Sequence, residues 1–162
     1  MWCLWNLGLL GEPLLGSLGL VATYLLTGVV GNLASVAVSP GSVSVGASGA
    51  VFGLAGVLIL LLGSRLLPVA RGEVKRLRRS VIYFAGFNLV LGLGSNVVHS
   101  AVRIDNLAHV GGFLCGLALG VPLVPKIGAE RGLWVRRQWL AYGGMLLLVL
   151  LAARFIATFR HA

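Results

Sequence analysis

The sequence predicts an all-α, polytopic membrane helix bundle, a single domain over residues 1–162 with five full spans and a partial span at its start. Three observations carry this expectation. Of the 162 residues, 58% are hydrophobic and only 10% charged, whereas a soluble domain carries about 25% charged residues. Mean hydropathy is +0.98. The 13 basic and 4 acidic residues crowd into short stretches and leave uncharged intervals near or above the roughly 20 residues that cross a bilayer as a helix.

Those intervals place the elements in order. Residues 1–16 are apolar as far as Gly11, and 11 residues at about 1.5 Å each cover only half of a roughly 30 Å hydrocarbon core. This segment therefore reads as the second half of a helix. No formal charge occurs between Glu12 and Arg65, room for two spans, 18–38 and 48–64, broken near Ser39-Pro40-Gly41-Ser42. Uncharged stretches from Ser80 to Val102 and from Asn106 to Pro125 predict spans at 80–98 and 106–124. A last apolar run, interrupted only by Arg154, predicts 138–158.

Lys and Arg concentrate between Arg65 and Arg79, with six, and between Lys126 and Arg137, with four. The positive-inside rule makes these two basic loops, 65–79 and 126–137, cytoplasmic, in a multi-pass protein of the cell (inner) membrane. A competing reading of the same charges is specific binding of anionic lipid head groups. The net charge of +9 does not suggest nucleic acid, because no aromatic residues interleave with the basic ones. Cys3 and Cys115 lie in apolar runs and suggest neither a disulfide framework nor a metal cluster. No metal or other cofactor is expected.

In the given orientation, the helices starting near Ser48 and Asp105 both run inward from the outer face. Two polar residues lie within a turn of those starts. His109 follows Asp105, which can cap the helix, and an intramembrane histidine is a functional candidate by default; the alternative is a histidine hydrogen-bonded for packing. Ser48 sits where a glycine-rich outer loop turns into a helix. The dipole and free N–H groups of a first turn favour the negative charge that acyl transfer develops on oxygen. The alternative there is that Gly and Ser only allow close helix approach. The pattern is not the G-x-S-x-G elbow of soluble hydrolases, since position 50 is Ala50.

Spacing brings the two together. Gly49, Gly53 and Gly56 form a small-residue face after Ser48, and Gly112, Gly116 and Gly120 recur every fourth residue after His109. Two such faces can cross backbone to backbone, bringing hydroxyl and imidazole within reach as a nucleophile and its base.

Three blocks complete the pattern: Gly11-Glu12-Pro13-Leu14-Leu15-Gly16, Gly46-Ala47-Ser48-Gly49-Ala50-Val51-Phe52-Gly53-Leu54, and Asp105-Asn106-Leu107-Ala108-His109-Val110-Gly111-Gly112 with Gly116. In this order they closely resemble the rhomboid family of intramembrane serine proteases. The likeness runs from Met1 to about Val124, and the last span resembles the seventh helix of some members. The resemblance implies cleavage of a peptide bond in or beside a transmembrane segment of a membrane protein substrate, by a Ser48–His109 dyad without a third acidic member. It also implies that the N–H groups of Ser48 and Ala47 form part of the oxyanion hole. Phe52 would lie against the histidine, with Gly46, Gly49, Gly112 and Gly116 as supports.

Family members also have an earlier helix, a long outer loop, and a histidine and asparagine four residues apart that complete the oxyanion hole. Aligned on Glu12, that asparagine falls one residue before Met1. Asn6 does not replace it, lying almost two turns further along. The expectation is a sequence that starts late relative to the family and turns over slowly, since losing one such donor commonly costs roughly 100- to 1000-fold. The competing function is a non-catalytic rhomboid-like protein that binds or retains membrane clients. A transporter or channel would call for more intramembrane charge or a paired repeat, and neither is present.

Overall fold

The computed structural model describes residues 2–38, 47–64, 71–97, 105–124 and 131–160. Six helices occupy them: α1 (Trp2–Leu15), α2 (Ser17–Val38), α3 (Ser48–Gly63), α4 (Arg71–Val97), α5 (Asn106–Leu123) and α6 (Arg131–Arg160). The break expected near Ser39-Pro40-Gly41-Ser42 lies outside the described residues. Among those described, α2, α5 and the Gly132–Thr158 part of α6 are long and apolar enough to cross a membrane, and α3 is a shorter apolar helix.

One glycine separates α1 from α2. Gly16 has φ +75°, a left-handed conformation that L side chains disfavour. A Cβ there would meet no neighbour within 4 Å, so backbone conformation alone selects glycine. The Gly16 N–H closes α1 on the Glu12 carbonyl at 2.8 Å, and its own carbonyl accepts from Leu20 at 2.9 Å.

α3 is the central helix, in contact with α1, α2, α4 and α5. Its Leu54, Ala55, Val57 and Leu58 are at most 1% exposed. A helix apolar on every side is stable only when other helices or lipid surround it, and here four helices do so. The sides of α2, α4 and α6 that face away from the bundle carry exposed apolar residues such as Leu25, Phe87 and Leu147.

Two expected boundaries are corrected. α4 begins at Arg71 rather than near residue 80, and α6 begins at Arg131 rather than near 138. Residues 71–79 and 131–137 are therefore helix, not loop; 65–70 and 125–130 lie outside the described residues. Hydropathy marks where a helix enters lipid, whereas Arg, Lys, Leu and Glu propagate a helix well in water. Glu73 in the first turn of α4 also complements the helix dipole.

The ends of these helices sort onto two faces. On one, the Arg78 Nε–H donates to the Ile59 carbonyl near the end of α3 (3.1 Å), and Trp134 Nε1–H donates to Leu123 at the end of α5 (3.4 Å). On the other lie the starts of α3 and α5, with Ser48 and His109.

Candidate active site

The two helix starts are built differently. Ser48 opens α3 after Ala47, which places no side-chain cap on it. The Ala47 carbonyl accepts from Val51 at 3.2 Å. The first-turn N–H groups thus have no acceptor inside the helix, and the Ser48 side chain beside them is exposed. At α5, by contrast, Asp105 Oδ1 accepts from the Ala108 N–H at 3.0 Å. His109 follows one turn inside and is 5% exposed.

An aromatic ring sets the plane of the imidazole. Phe52, one turn after Ser48, stacks on His109 with centroids 4.3 Å apart and planes 10° from parallel. Phe84 of α4 backs Phe52 at 6.1 Å. The His109 Nδ1 is shut off from solvent without a hydrogen-bond partner, so stacking and the backbone, not an acceptor on Nδ1, hold the ring.

Glycine brings the helices this close. A Cβ on Gly49 would lie 3.0 Å from the Ala108 carbonyl oxygen, and one on Gly31 of α2 would lie 2.5 Å from the same atom. On Gly112 and Gly116, a Cβ would fall on the carbonyls of Gly49 and Gly53. Further down, a Cβ on Gly56 would lie 2.5 Å from the Phe113 carbonyl oxygen. Three backbones therefore meet at Gly31, Gly49 and Ala108, and Ser48 and His109 are each one residue from that point. No hydrogen bond joins the Ser48 hydroxyl to His109. In unliganded sites such bonds are often long and tighten only with substrate. Gly46 lies outside the described residues.

Asn106 was not singled out from the sequence. It lies three residues before His109 on the same helix face, and its side chain fills the space over Gly92 of α4, where a Cβ would collide with Oδ1. Both its polar atoms are buried without a hydrogen-bond partner. The available signal was the amide at i−3 from the histidine; its opposite number, Gly92, is visible only in three dimensions. Below Asn106, a cavity of about 490 Å³ opens between α3, α4 and α5, with Phe52 in its wall and His109 the one polar side chain lining it.

Comparison with known proteins gives the family. A family model described as the Rhomboid domain matches residues 1–126. The chain is 34% identical over 127 residues to the Rhomboid protease GluP of Bacillus subtilis, covering 78% of this chain and 23% of that protein. It is 33% identical over 126 residues to RHOMBOID-like protein 2 of Arabidopsis thaliana, covering 76% and 37%. It is also 30% identical over 122 residues to Inactive rhomboid protein 1 of Danio rerio, covering 74% and 13%. The chain thus spans well under half the length of these relatives. No solved structure matches it.

Proposed function

The chain belongs to the rhomboid family and is an integral membrane protein; from that premise we propose that it is an intramembrane serine endopeptidase using Ser48 and His109. The observation that carries this reading is the crossing of α3 and α5, where Gly49 packs on Ala108, the chain neighbours of an exposed Ser48 and of a buried, ring-stacked His109.

The chemistry follows from those parts. His109 takes the proton of the Ser48 hydroxyl as Oγ bonds to the scissile carbonyl carbon. The resulting oxyanion lies against the Ala47 and Ser48 N–H groups at the uncapped start of α3. His109 then returns the proton to the leaving amine, and water releases the acyl group from Ser48 by the reverse sequence. Phe52 keeps the imidazole in plane, and Gly49, Gly112 and Gly116 hold the backbones at contact distance. The family resemblance adds Gly46 as a support. The substrates are transmembrane segments of other membrane proteins. The bundle crosses the membrane with five full spans and a partial first span, the basic starts of α4 and α6 cytoplasmic and Ser48 and His109 toward the outer face.

One observation favours a second reading, a non-catalytic protein that binds membrane clients: proteins named as inactive rhomboids are among its relatives. A fluorophosphonate probe separates the two. Labelling of the detergent-solubilised chain at Ser48, lost in both Ser48→Ala and His109→Ala while the fold persists, is the expected result. Absence of labelling in the folded chain, or labelling that survives Ser48→Ala, overturns the catalytic reading.

A further inference from the structure

The first turns of α4 carry an exposed, cationic face opposite the side that packs into the bundle. Val74 and Val81 are buried and Leu77 half-buried, whereas Arg71, Lys75, Arg76, Arg78 and Arg79 are exposed. This is a two-faced helix whose apolar side packs on the bundle with a spacing of three and four residues. Glu73 is the only acidic residue in α4. We propose that the cationic face of residues 71–79 binds the head groups of anionic phospholipids, beyond setting which way the chain crosses the membrane.

Depth and charge select that partner. From Arg79 to Arg71 the helix rises about 12 Å, close to the thickness of one head-group layer plus a Debye length of about 8 Å. From Ser80 to Val97 α4 carries no formal charge, and on the proposed topology that stretch is its membrane-spanning part. On that topology the cations lie at head-group level. Arg78 is tied through Nε to the Ile59 carbonyl at 3.1 Å, which fixes α4 against the end of α3 and presents Arg71, Lys75, Arg76 and Arg79 at defined positions. Trp134, bonded to the Leu123 carbonyl at the same face, is of the type that anchors a helix at that boundary. A juxtamembrane cluster of this kind attracts anionic lipid by about 1 kcal/mol per basic residue, roughly fivefold in affinity.

Native mass spectrometry of the full chain with added phosphatidylglycerol or phosphatidylcholine tests this without any reference to proteolysis. The unmodified chain should retain phosphatidylglycerol preferentially. That preference should fade between about 0.1 M and about 1 M ammonium acetate, as the screening length falls from about 10 Å to about 3 Å. Lys75→Gln and Arg76→Gln, each at an exposed position, should lower it about fivefold apiece; Arg154→Gln, at the far end of α6, should not. A preference that ignores salt, that survives both α4 variants, or that follows Arg154 instead overturns the proposal. So does equal displacement by inorganic phosphate at matched ionic strength, which would indicate a site for small anions rather than a lipid surface.

Discussion

α5 and α6 are both joined to the rest of the bundle through glycine, but by opposite means. α5 crosses α3 backbone to backbone: the neighbours of Gly112 and Gly116 are carbonyl groups of Gly49 and Gly53. α6 instead docks through polar side chains. Gln138 Nε2 donates to the Leu15 carbonyl at 2.8 Å, and the Tyr142 hydroxyl donates to the Gly19 carbonyl at 3.0 Å while lying 3.0 Å from Thr23 Oγ1. Gly19 makes room for this, since a Cβ there would come within 2.6 Å of Gln138 Nε2. A backbone crossing tolerates almost no displacement, because its contacts are rigid atoms, whereas side chains absorb small shifts by rotation. The candidate dyad sits on the crossing that cannot slide. The docking of α6 instead supplies a hydrogen-bond donor to the carbonyl of buried Leu15 at the α1–α2 break, a group that would be costly to leave unpaired.

Substitutions that attack one region and spare the other sharpen this contrast. The largest effect should come from Gly112→Leu. Its side chain must displace the Gly49 backbone beside Ser48, and overpacking of this kind costs about 3 kcal/mol or more where nothing flexible gives way. Fluorophosphonate labelling at Ser48 should disappear and thermal stability in detergent should fall; a variant with unchanged melting and labelling would mean that these helices do not cross as described.

Gln138→Leu should come next, at about 1–3 kcal/mol, because it leaves the Leu15 carbonyl buried without a donor. The loss should appear in thermal unfolding, while the labelling rate of the folded fraction stays near that of the parent. Equal losses of stability and labelling would show that α6 and the α3–α5 crossing are one mechanical unit.

At the break itself, Gly16→Ala should cost about 1–2 kcal/mol, the strain of a left-handed alanine, although the space around it is open. Asn is the better tolerated replacement in that conformation, so Gly16→Asn should recover part of the loss. If Ala and Asn melt alike, the positive φ is not what selects glycine there.

The smallest effect should belong to Tyr142→Phe, about 0.6 kcal/mol, a typical value for one interhelical hydrogen bond in a membrane protein. Thr23 keeps its own bond to the Gly19 carbonyl at 2.8 Å, so no acceptor is stranded. A loss as large as that of Gln138→Leu would indicate that Tyr142, Thr23 and Gly19 act cooperatively.

Sequence alone was sufficient wherever the cause is local. Charge-free intervals located the apolar helices because lipid excludes charge, and Asp105 was identifiable as a cap because a cap acts within three residues. The same logic put Ser48 and His109 within a turn of their helix starts, and the glycine periods marked which faces can approach. Tertiary structure decided the rest. Hydropathy misses the helical starts at Arg71 and Arg131, since it reports solvent preference and not backbone conformation. The Gly92–Asn106 contact and the bonds from Gln138 and Tyr142 to residues 123 positions earlier join groups whose pairing has no periodicity to reveal it. The stack of Phe52 on His109 was expected only through family resemblance, because ring orientation depends on how three helices pack. A repeating pattern specifies a face, but which atoms meet across that face depends on the rotation and depth of each helix, and these are settled only when all the helices pack together.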